Sequence, residues 1–85
     1  MRSPYAETRK FFLGELKKEE KKWIRFITQS KTRIRVMKSD LKNNKVGKKH
    51  SKSYQDAIVD AQISILKATE ELESVRRNMD SIKEL

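Results

Sequence analysis

Cysteine is absent from the chain, so neither a disulfide framework nor a thiolate-ligated metal can hold it together. Glycine occurs twice and proline once, too few turn formers for a fold of many short strands. No segment comes near the ~20 consecutive apolar residues that cross a bilayer. After Arg2 the sequence is polar where a cleavable export signal would be apolar. A cytoplasmic protein is expected, with signal-less export as the other route.

Histidine occurs once, as His50 among lysines, where a solvated ring is expected. Asp56 and Asp60, and the run Glu70, Glu71, Glu73, place carboxylates at helical spacing. The Glu-x-x-His pattern of metal-binding carboxylate bundles is missing, as are a glycine-rich phosphate loop and zinc-ligand spacing. Catalysis needs a positioned acid, base or nucleophile. No enzyme, no metal site and no cofactor is expected.

What the sequence does hold is a seam. Tyr54, Ile58, Ala61, Ile65, Ala68, Leu72, Val75, Met79 and Ile82 recur in unbroken steps of four and three. Apolar positions repeating every 3.5 residues keep one stripe of a helix against a neighbour along its length. The same rhythm runs through Leu13, Leu16, Glu20, Trp23, Ile27, Ser30, Ile34, Met37 and Leu41, interrupted by the polar Glu20 and Ser30. Ser3-Pro4 suits a helix start. Asn43, Asn44 and Gly47 tolerate the backbone that ends one, and Ser53 with Asp56 reads as a second N-cap. The prediction is an all-α, antiparallel two-helix hairpin of coiled-coil type forming one domain over residues 1–85. Its helices run from about 4 to 42 and about 53 to 84, around a basic loop at 43–52. Thr28 to Val36, rich in Thr, Ser, Ile and Val, is the segment with the poorest helix propensity and the place where the first helix could break.

Eighty-five residues is near the size at which one chain struggles to bury enough surface, and apolar residues lie off the seam as well. Phe11, Phe12, Ile24 and Phe26 flank it on the first helix, and Val59, Ile63 and Leu66 form a second stripe on the second. A hairpin cannot bury both. Contiguous apolar patches on small proteins mark association surfaces. The expected answer is a four-helix bundle completed by a second copy or by another protein, in an adaptor, inhibitor or assembly factor. Two-helix chains of this length are similar to small secreted helical hairpins that turn on a Trp-x-Gly motif. Here Trp23 lies inside a helix and the connector reads Lys45-Val46-Gly47, so nothing beyond shape is carried over.

Charge supplies the alternative. The net charge is +9, with +8 in residues 1–42, +4 in 43–52 and −3 in 53–85, a split that suggests a basic helix facing an acidic one. Lys17, Lys18, Lys21, Lys22 and Arg25 form a ridge, and Lys45, Lys48, Lys49 and Lys52 cluster at the connector. Ridge and tip match the footprint of a protein that binds the phosphate backbone of RNA or DNA. Membrane binding is not expected, because the apolar side is taken by the seam.

Overall fold

The computed structural model describes residues 4–43 and 45–84, with side chains from residue 6 onward. It contains two helices, α1 from Pro4 to Lys42 and α2 from Lys48 to Glu84, folded back on one another as an antiparallel hairpin. The predicted Ser3 cap and Asn44 lie outside the described residues.

The heptad seam is the core. Ile34, Ile58, Ala68, Leu72, Val75 and Met79 are buried, and every other seam position in the two helices is half-buried. The rhythm extends beyond the predicted limits, since Arg9 and Ser51 are also half-buried. Arg76 donates from Nε to Glu20 Oε2 at 3.1 Å across the seam and marks the register. Counting three-four steps from that pair places Trp23 level with Leu72, Ile27 with Ala68, and Ile34 with Ala61. Small alanines thus stand at the levels of branched side chains. Ala68, only 1% exposed, is the most enclosed residue of the core. This ion pair runs opposite to the predicted charge match, since it sets an acid of basic α1 against a base of acidic α2.

Thr28 to Val36 does not break α1. The Thr32 hydroxyl donates to the Thr28 carbonyl at 3.0 Å within the helix, and Ile34 is one of the buried residues. Seam burial outweighs weak local propensity here.

The second helix starts at Lys48, not near residue 53, so the connector is shorter than predicted and Ser53 is an exposed helical residue rather than a cap. The cap is Gly47, whose carbonyl accepts the amides of His50 at 2.9 Å and Ser51 at 3.1 Å. An earlier start keeps Ser51 on the seam, one step before Tyr54. At the end of α1, the Asn43 amide donates to Ser39 O and that of Lys45 to Asp40 O, both at 3.0 Å. The second is the six-to-one bond of a Schellman-type end. Gly47 does not take up the left-handed conformation that a glycine there would tolerate.

The shape is a rod, 69 × 15 × 14 Å, with a radius of gyration of 19.3 Å. A compact chain of this length has a radius near 12 Å. All burial is therefore confined to one line of contact. The chain exposes 7310 Å², where a compact monomer of its mass exposes about 5,300 Å². The excess is about 2,000 Å².

Candidate functional site

The apolar residues predicted to meet a partner are all exposed, but they do not form one surface. On α2, Val59, Ile63 and Leu66 remain 51%, 46% and 65% exposed. Measured around the helix at 100° per residue, they lie roughly 130° to 170° from the seam, on the back of the hairpin. Spaced at i, i+4 and i+7, they form one contiguous patch. On α1 the predicted residues scatter. Phe12 lies beside Asn78, Ser81 and Ile82 in an open groove near the helix ends. Phe26 borders the same side of the hairpin beside Ala61 and Ser64. Phe11 points elsewhere, its ring edge-on to Phe12 at 5.7 Å, and Ile24 flanks the seam on the side away from Phe26. Val36 is a further exposed apolar residue, absent from the predicted set. Only the α2 residues make a patch.

Trp23 is half-buried in the seam, with Phe26 edge-on at 6.2 Å and the Lys22 ammonium 5.3 Å from its ring centroid. Ring contacts of this kind anchor the helix and draw Lys22 toward the seam side. Lys22 therefore leaves the predicted ridge. Lys18 leans on Glu15 at 3.4 Å, a pair too exposed to hold much. Lys17, Lys21 and Arg25 stay on the solvent side.

The connector cluster is divided by the early start of α2. Lys45 is in the loop, whereas Lys48 and Lys49 occupy the first turn of α2, which carries no acidic residue, and Lys52 follows. Cations at a helix N-terminus are disfavoured by the dipole. His50 is exposed in the same turn.

Asp56, Asp60 and the glutamates of α2 all face solvent. Among the described residues, no three His, Cys, Asp or Glu side chains gather closely enough to hold a metal ion, and no helix is long and apolar enough to cross a membrane. The concave regions are open clefts along the rod.

No protein-family model, curated protein or solved structure matches this chain. The surfaces themselves carry the functional reading.

Proposed function

We propose that this is a non-enzymatic helical-hairpin protein that works by helix-to-helix association, with a second copy of itself as the leading partner. The observation that carries the reading is the α2 patch of Val59, Ile63 and Leu66 on the back of a hairpin whose seam is already filled. A rod with one line of contact leaves about 2,000 Å² more surface in water than a compact fold of its mass. Stable protein interfaces remove about 1,200–2,000 Å² in total, or about 600–1,000 Å² from each partner, so one helix-on-helix contact along α2 draws on about a third to a half of that excess. A twofold pairing of α2 with α2 sets each patch against itself, as in the commonest homodimers, and yields a four-helix assembly with α1 on the outside.

The test is molecular mass in solution across concentration, by sedimentation equilibrium from about 5 to 500 μM, the range where weak helix dimers dissociate. Mass should rise toward the dimer within that range, and thermal stability should rise with it. A chain that stays monomeric throughout, fully helical and equally stable at every concentration, removes self-association. Retention of a different protein by the wild type but not by a Leu66→Lys variant would transfer the same patch to that partner.

A further inference from the structure

Once the register of α1 is fixed by the seam, its acids beyond the first turn fall to one side, while Glu7, in that first turn, lies on the other. Let the seam alternate between positions a and d of the heptad, with Leu13, Glu20, Ile27, Ile34 and Leu41 at a. The adjoining positions e, b and f then form one continuous strip of helix surface. From Lys10 to Lys42 this strip holds Lys10, Lys17, Lys18, Lys21, Arg25, Lys31, Arg35, Lys38 and Lys42, and no acidic residue. The four acids of that span, Glu15, Glu19, Glu20 and Asp40, all stand at c, g or a. A helix kept soluble by mixed charge has no need of this sorting, and i, i+4 pairing favours the opposite, interspersed arrangement.

We infer that this strip of α1, continued by Lys45, Lys48 and Lys49 at the tip, is a binding surface for the phosphate backbone of double-stranded nucleic acid. The strip is about 48 Å long at 1.5 Å per residue, a straight cationic edge with long, mobile side chains. Nine cations along such an edge create a field that a polyanion can satisfy. The tip adds lysines in the first turn of α2, where the helix dipole disfavours them and an arriving phosphate offsets the cost.

The other macromolecules fit less well. Lysine is depleted at protein–protein interfaces. A helix lying on a membrane needs a free apolar face, and that of α1 is against α2, with only Phe11 and Ile24 on the strip. Single strands are held by rows of stacking aromatics, which the strip lacks. Contacts of this kind position a protein on a duplex and read no sequence.

The test uses the full chain with fluorescent duplexes of about 20 base pairs, one of DNA and one of RNA, titrated at about 50 and 200 mM salt. If about four phosphates are engaged, affinity falls roughly 100-fold over that interval. A strip variant, Lys17→Gln, Lys21→Gln, Lys31→Gln and Arg35→Gln, should flatten the salt dependence by about 0.9 in logarithmic slope for each phosphate no longer neutralised. A control of equal net charge, Lys22→Gln, Arg33→Gln, Lys67→Gln and Arg77→Gln, should keep the wild-type slope. All eight side chains are exposed, and helicity by circular dichroism checks that both variants fold. Stronger binding of one duplex identifies the preferred nucleic acid. Equal reductions in both variants overturn the inference, because binding would then follow net charge rather than the strip. Absence of binding at low salt overturns it too, as does capture by vesicles of 3:1 phosphatidylcholine and phosphatidylserine with neither duplex bound. The strip lies on α1 and the apolar patch on α2, so a monomer that binds duplexes leaves this inference standing while removing self-association.

Discussion

Leu66→Lys is the substitution that asks most of the α2 patch. Leu66 is 65% exposed, and complete burial of a leucine side chain is worth about 1.5–3 kcal/mol. Covering what remains exposed therefore contributes about 1–2 kcal/mol per chain, and a twofold interface counts it twice. Removing it weakens the dimer by about 2–4 kcal/mol, which raises Kd roughly 30- to 1000-fold, before any repulsion between facing lysines. The isolated hairpin should barely respond, because lysine and leucine have similar helix propensity and the residue is 65% exposed on the back of the hairpin. Sedimentation equilibrium reads the first effect and thermal melts at low concentration read the second. Phe12→Lys is the matching control, an exposed apolar residue in the groove beside Asn78, on another side of the rod. Unchanged association of Leu66→Lys, or equal weakening by Phe12→Lys, refutes the idea that the patch is the contact.

Three other outcomes follow from the geometry. Gly14 is inside α1 with nothing within 4 Å of an added Cβ, so Gly14→Ala should stabilise by about 0.5–1 kcal/mol and raise Tm by several degrees in a thermal melt. Ala68→Leu should do the reverse, costing about 1–3 kcal/mol by overpacking and moving the urea midpoint down, since this is the tightest level of the seam. A double-mutant cycle on Glu20 and Arg76 should return a coupling of only about 0–1 kcal/mol in denaturant melts, because Arg76 is more than half exposed; a larger value would make the ion pair, rather than the apolar seam, the fastener of the hairpin.

The hairpin is legible in the sequence because its period is redundant. Eighteen positions in two helices obey one rule, so Glu20 and Ser30 can interrupt it without hiding it, and both fall where the rule puts them. The start of α2 is not legible, for a local reason. Lys48 to Lys52 is polar and like-charged, Ser53 with Asp56 resembles a cap, and nothing nearby announces that Gly47 serves instead. The seam holds the missing signal, since Ser51 continues its step from Tyr54. Val36 escapes notice when its segment is weighed for propensity rather than position. Adjacency in sequence also hides direction, so the flanking phenylalanines look like one group although Phe11 and Phe12 differ by 100° around the helix. The basic ridge is legible in composition but not in detail: Lys22 sits on Trp23, whereas Lys31, Arg35 and Lys38 extend the strip.

The two proposed surfaces constrain each other. If α2 packs back-to-back with α2 of a second copy, both α1 strips stay outside, at opposite edges of a four-helix slab. At 8–10 Å between neighbouring axes, the two α1 axes stand about 24–30 Å apart, and one duplex along either strip leaves the other free. If α2 instead packed on α1 of the second copy, Glu70 and Glu73 beside the patch would face the lysines of the strip, and the assembly would cover the cations that a polyanion needs. The first arrangement rests on apolar burial and holds as salt rises, whereas the second rests on opposed charge and is screened beyond a Debye length of about 10 Å at 0.1 M. The exposed apolar side chains of Val59, Ile63 and Leu66 favour the first. An apolar patch finds its best cover in another apolar patch, and the strip, with Phe11 and Ile24 as its sole apolar residues, offers none. Back-to-back packing therefore gives the apolar face a partner and leaves the charged face for a ligand of its own kind.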